Sequence, residues 1–489
     1  MRTVSVSKVI PGRKQPPMLL GLRSSTPFIV ATVWMSTFTD FLLYAMVNLQ
    51  AYPVTREPDK PNNPQIVPVM PTALVTRAGV EYKDREYWVS VLLMCEAGTA
   101  LLLCPVFGYL IDSARTRRLP FLTALVLLAG CMGVLHESHS LAMFVAGRLL
   151  QGCAGALVVV AAFALINDSV PRENLGQTIG YLGSAIASGF LLGPFLGGLV
   201  YHAGGYDTVF WVAYAIIAVD LGMRVVMIEK RSAQRWESSS AHNRGAGVQA
   251  EVMVLPGQLE EELPRSRGFV LLRMLTQRRV LISSWALLVH GILLSAFDAT
   301  LAIFVESRYG WSAFGMGLIF LPMAIPAFFE PFFGYITDRC GARFVAFTCF
   351  CLLSPSLIGL RFVEPNDPPH IALLVILLFV IGVFIHACAP AMYVETQLAL
   401  SEMERAHHGS LGSKGAVAQG FGLQSMCQFA GVFLGPLWGG FVEYRFGWGA
   451  MSGTLGVLAA LTAMPMLWLG EEIEWDEEED GEHQTLLHP

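Results

Sequence analysis

Gly189-Phe190-Leu191-Leu192-Gly193-Pro194-Phe195-Leu196-Gly197-Gly198 lies inside a long apolar run, and its last seven residues recur in outline as Leu434-Gly435-Pro436-Leu437-Trp438-Gly439-Gly440. Glycines four residues apart share one helix face and let a second backbone approach closely, as in the packing of membrane helices. The proline withholds an amide donor and is expected to kink its helix. Membrane helices tolerate this where neighbours satisfy the freed carbonyl. One such stretch has only local meaning. Two copies of LGPxxGG predict a duplicated membrane bundle with a flexible seam in each half.

The composition around this stretch agrees. Of 489 residues, 54% are hydrophobic and 14% charged, and the mean hydropathy is +0.53. A soluble chain carries roughly 25% charged residues. The nine cysteines fall mostly in apolar stretches, which suits small buried apolar side chains better than a disulfide framework. The first 26 residues read as a polar, basic tail without the apolar core of a signal peptide.

Twelve apolar segments are long enough to cross a bilayer, which takes about 18–25 residues. They cover about 27–50, 87–111, 119–136, 140–166, 177–201, 207–228, 281–305, 313–336, 343–362, 370–396, 417–443 and 447–469. The predicted organisation is a tail (1–26), a six-helix half (27–228), a polar linker (229–280), a second six-helix half (281–469) and an acidic tail (470–489). An even number of crossings puts both termini on one side, and that side collects 22 of the 32 Lys and Arg, which predicts cytosolic termini. The halves repeat. Asp40 aligns with Asp298, Gly108-Tyr-Leu-Ile-Asp112 with Gly334-Tyr-Ile-Thr-Asp338, and Asp168 with Glu395. The fold class is therefore all-α membrane protein, with twelve transmembrane helices in two pseudo-symmetric halves. Such halves place solute handling near the midplane and rock alternately around it.

These motifs resemble the major facilitator superfamily over almost the whole chain. Gly108-x-Leu110-x-Asp112, followed by Arg115, Arg117 and Arg118, resembles the family's loop between helices 2 and 3. The second copy, Gly334-x-x-x-Asp338-Arg339-x-Gly341-x-Arg343, is closer to pattern. Arg148-Leu-Leu-Gln151-Gly152 resembles the helix 4 motif, and Gly189, Gly193, Pro194, Gly197 and Gly198 resemble the helix 5 motif of exporting antiporters. The region from Asp40 to Pro53, with Asp298, is similar to the vesicular amine and drug–proton antiporter branch, fungal members above all. That branch carries a lysine where Glu96 stands and acids in helices 10 and 11 that are unmatched here. The resemblance thus implies proton antiport of an amphipathic solute more than an amine substrate.

Charged groups at membrane depth are costly and mark function. Asp40 and Asp298 lie about 20 and 25 Å into their segments, facing a shared cavity by symmetry. Glu96 and Arg148 lie at similar depth, so Arg148 is expected to pair with Glu96 or Asp40. His290 and His386 are deep enough to relay protons. Trp34, Tyr44, Trp285 and Tyr393 are candidates to line the cavity. Asp112, Asp168, Asp338 and Glu395, with Arg115, Arg339, Arg343 and the glycines Gly108 and Gly334, are expected to latch the two halves together. Asp220 and Arg224 are expected to pair, with Arg224 snorkelling to the surface, and Glu330 fits either a latch or the cavity.

The expected function is secondary transport: proton-coupled antiport of a drug-like, cationic or secondary-metabolite solute, or alternatively symport or uniport of a small organic nutrient. No Gly-x-x-x-x-Gly-Lys-Ser/Thr loop is present to bind ATP. No nucleophile–base set or spaced metal ligands suggest an enzyme. The expected partners are a small organic solute, protons and the bilayer, with no nucleic acid, cofactor or metal, and the chain is expected to act as a monomer. Glu482 to Leu487 matches an acidic dileucine sorting signal, which sets the vacuolar membrane beside the plasma membrane as a destination.

Overall fold

The computed structural model describes residues 19–48, 69–81, 84–114, 116–230, 233, 270–311, 313–363, 368–406, 411 and 415–469. The expectations for the basic tail before residue 19, most of the first loop, Arg115, residues 234–269 of the linker, and the acidic tail with Leu486-Leu487 lie outside them. Among the described residues there are helices and no strands.

The twelve crossing helices follow the apolar runs. They begin with α1 (Thr26–Asn48), α2 (Arg85–Ser113), α3 (Arg118–His136) and α4 (Leu141–Ser169). Leu175–Val226 then holds two crossings, α5 (175–204) and α6 (206–226), which part at Gly205. Gly205 adopts φ 76° and ψ −167°, a conformation open essentially to glycine alone. The second half comprises α7 (Arg278–Tyr309), α8 (313–340), α9 (Ala342–Gly359), α10 (Pro368–Ala406), α11 (Val417–Phe446) and α12 (Trp448–Met466). Both described ends of the bundle lie on one face, called the terminal face below.

Two local expectations are corrected. The eighth segment is not one helix. It breaks into Ala313–Leu318, Leu321–Ala324, a 3₁₀ stretch at Ile325–Phe329, and Glu330–Cys340. Pro322, Pro326 and Pro331 each remove an amide donor from the i→i−4 ladder. Conversely, α5 and α11 run through Pro194 and Pro436 without a break. The motif acts here as a packing face.

A Cβ on Gly193 would lie 2.5 Å from Ala45 Cβ and 2.9 Å from the Leu42 oxygen, so α5 rides directly on α1. Its twin is faithful: a Cβ on Gly435 would meet the Ile292 oxygen at 2.7 Å, and Gly439 faces Ala296 at 3.1 Å, so α11 rides on α7. Gly193→Leu should therefore force α1 and α5 apart and abolish most monodisperse protein in detergent size-exclusion. Gly440→Ala, with open space around its Cβ, should leave the profile unchanged. Overpacking of this kind costs about 1–3 kcal/mol or more.

Candidate functional site

Small residues also set how the two halves meet. On the terminal side α2 lies against α11, where a Cβ on Gly108 would come within 2.6 Å of the Ala418 oxygen and one on Gly422 within 2.6 Å of the Cys104 oxygen. By pseudo-symmetry α5 lies against α8, where a Cβ on Gly180 would sit 2.7 Å from Pro331 Cα and one on Gly183 would overlap the Glu330 carboxylate. Gly334 packs on the Gly176 backbone in the same seam.

Each seam ends in a carboxylate that caps a helix of the opposite half. Asp338 accepts from the amides of Gly176 and Gln177, both at 2.8 Å, at the start of α5. Asp112 accepts from Ala418 at 3.2 Å and Gln419 at 2.9 Å, at the start of α11. Neither Asn174 nor Ala416, the capping residues of those helices, supplies a side-chain bond of its own. A negative group suits exposed amides at a helix start.

The basic partners differ from expectation. Arg115 lies outside the described residues, and Arg117 holds Asp112 (2.9 Å) and Asp168 (3.0 Å). Burial works against the Arg117 charge, but the two carboxylates outweigh it and hold the guanidinium above its ordinary range. Asp168 is thus tied within its own half, as Glu395 is to Arg279 at 2.5 Å. Arg339 lies over the Tyr335 ring, and Arg343 forms no ion pair with Asp338, whose partners are amides. Arg224 does not snorkel. It is fully buried, donating to Ser36 at 2.7 Å and lying 3.6 Å from Asp220, because partners await it inside.

Above the seams, Phe163 of α4 stacks on Tyr393 of α10 (4.5 Å) and on Phe421 of α11 (5.0 Å), an aromatic plug bridging the halves. Tyr393 also donates to Gln428 at 2.7 Å. Beyond the plug lie the membrane-depth charges. Arg148 is fully buried and donates to Glu96 at 3.2 Å and Gln151 at 2.6 Å. Gly152 makes this pairing possible by letting α4 touch the Glu96 backbone. Arg148 Nε and Nη2 and Gln151 Nε2 find no acceptor.

Asp40 is 6% exposed and occupies space that Gly155 leaves free, where a Cβ would stand 3.2 Å from Oδ2. Asp298, by contrast, is exposed in mid-helix. It stands near enough to Tyr44 of α1 for its charge to act there with those of Glu96 and Arg148. Neither Asp40 nor Asp298 has a hydrogen-bond or ion-pair partner among the described residues. Tyr44 meets Phe190 of α5 edge-on at 5.6 Å, and Trp34 donates to Ser184 at 3.1 Å. Trp285 is not at the cavity, since it bonds Thr462 of α12.

In the second half, His386 Nδ1 lies 2.6 Å from Glu330 Oε1, and His290 is buried alongside. The sequence left Glu330 open, and the structure puts it in this pair, against Gly183 of the opposite half. The run Gly176-x-x-x-Gly180-x-x-Gly183 was the missed signal.

Two six-helix halves that carry buried membrane-depth charges agree with a solute transporter. The family model described as Major Facilitator Superfamily matches residues 66–395 and 318–488. The chain belongs to the Major Facilitator Superfamily and is a multi-pass membrane transporter of the secondary type, not an enzyme. It is 28% identical over 482 residues to the MFS-type transporter ppzB of Metarhizium rileyi, covering 92% of this chain and 95% of the relative. It is 27% identical over 431 residues to an uncharacterized MFS-type transporter of Schizosaccharomyces pombe, covering 87% and 91%. The human organic anion transporter MFSD10 (TETRAN) superposes with a TM-score of 0.63 at 19% identity, covering 92% of this chain and all of that one, which concerns the fold alone.

Proposed function

We propose that this protein exchanges protons for an amphipathic, cationic organic solute. The observation that carries this reading is the pair of carboxylates at membrane depth, Asp40 and Asp298, one in each half and neither with a hydrogen-bond or ion-pair partner among the described residues. A carboxylate without a fixed partner in such a place binds either a proton or a cation, and that competition couples the two fluxes. Arg148 Nε and Nη2 and Gln151 Nε2 are donors left over for a solute hydroxyl or carbonyl. The Glu330–His386 pair is a second place where one proton can be shared.

The terminal face is cytosolic in this reading, from the basic-residue bias, and the structure closed there is one end of the cycle. Export across the plasma membrane and sequestration into a vacuole share this direction. The test is uptake of fluorescent cationic dyes into sealed proteoliposomes with and without an imposed pH gradient. We expect accumulation at least ten-fold above protein-free vesicles, lost on collapse of the gradient. Uptake that ignores the gradient would point to a uniporter.

A further inference from the structure

On the face opposite the termini, outside the first loop, Arg308, Arg361 and Arg445 are the Lys or Arg residues of the chain. Two of these three converge. Arg308, in the last turn of α7, and Arg361, after α9, line one groove of about 1050 Å³ together with the outer parts of α11 and α12. That volume is at the top of the range of small-molecule sites, about 300–1,000 Å³. Among the described residues no acid lines the groove, and neither arginine has a hydrogen-bond or ion-pair partner.

Below the two cations the wall is apolar. Trp448 is stacked on Phe304 at 3.9 Å and donates to the Leu360 oxygen at 3.2 Å, so it is fixed wall and not a loose interfacial anchor. Val457 and Leu461 continue the wall along α12 and are 53% and 63% exposed. Leu461 is about 20 Å along the helix from Trp448, more than half of a hydrocarbon core about 30 Å thick. Gly449 lets the start of α12 abut Arg361, with a Cβ position 3.4 Å from Arg361 Cβ.

We infer that this groove is a binding site for one anionic phospholipid of the leaflet opposite the termini, its phosphate held between Arg308 and Arg361 and an acyl chain laid along Val457 and Leu461. Charge chooses the occupant: two guanidinium groups facing no acid among the described residues attract a net negative headgroup, with phosphate the group that arginine pairs with in a bidentate fashion. An apolar trough running inward from them suits a chain and not a free anion. The site is separate from the central cavity and independent of the antiport reading.

The test is native mass spectrometry of protein released from nanodiscs of phosphatidylglycerol and phosphatidylcholine in equal parts. Wild type is expected to retain one phospholipid, phosphatidylglycerol over phosphatidylcholine by at least ten-fold. Arg308→Ala/Arg361→Ala should lose that preference, and Arg308→Lys/Arg361→Lys should keep part of it, which controls for folding. Gly453→Trp, at a groove residue with open space around its Cβ, should expel the bound phospholipid with a folded elution profile. Retention equal in wild type and the alanine variant would overturn the site. So would a dimer mass in place of the lipid adduct, or release of the lipid by millimolar inorganic phosphate.

Discussion

Asp338→Ala, combined with Asp112→Ala, should open the terminal face of the resting protein. Each carboxylate caps two amides at the start of a helix belonging to the other half, with no competing cap from that helix's own residues. Losing such a cap costs about 0.5–2 kcal/mol, and the negative charge at a helix start adds about 0.3–1 kcal/mol. With about 2 kcal/mol per latch, each variant shifts the closed-to-open ratio about 30-fold, and the pair of latches acts on one rigid-body motion, so the effects multiply. The check is a distance measurement between spin labels on Cys340, which is exposed at the end of α8, and on a cysteine introduced at Glu173, exposed before α5. Wild type should give one short distance, and the double variant a dominant long one. An unchanged distribution in the double variant would show that the glycine seams, not the carboxylates, hold this face shut.

The latches also show where reading a sequence stops. Asp112 and Asp338 were visible because the same short pattern occurs twice with the same spacing, and Asp40, Asp298 and Arg148 because a charge in an apolar run has few structural excuses. What could not be read was the partner. Asp338 meets amides 162 and 161 residues away, and backbone amides leave no trace in composition or periodicity. That Arg117 holds both Asp112 and Asp168 has a similar origin, since the loop's turn, not its charge count, brings that guanidinium to the two acids. Arg224 was misplaced because snorkelling was assumed where Ser36, Asp220 and the Phe121 oxygen supply an interior alternative. The break in α8 could have been read, because Pro322, Pro326 and Pro331 recur every four or five residues. The doubled LGPxxGG kept its value as a signature of duplication and close packing, and its prolines lie within continuous helix.

The largest functional effect should come from Asp40→Asn. Asp40 is buried and unpaired among the described residues, and the charges of Glu96 and Asp220 bear on it, so its ionised form is held in place by nothing the protein itself provides. A structural acid would behave oppositely: it would have a fixed cation, and its removal would leave that cation unpaired at a cost of about 3–5 kcal/mol. The amide is nearly isosteric and cannot take on the charge that this site disfavours, so Asp40→Asn is expected to melt at or above the wild-type temperature while gradient-driven solute exchange falls by at least 100-fold. Such a gain in stability with a loss of activity is the mark of a strained functional group. Asp298→Asn should follow the same pattern with a smaller rise in melting temperature, because no neighbouring acid bears on Asp298 as Glu96 and Asp220 bear on Asp40. Glu96→Gln provides the contrast: it strips Arg148 of its carboxylate partner and should lower the melting temperature. Thermal melts in detergent alongside proteoliposome flux separate these outcomes. A melting temperature for Asp40→Asn well below wild type, with flux lost in proportion to folded protein, would reassign Asp40 to the framework of the bundle.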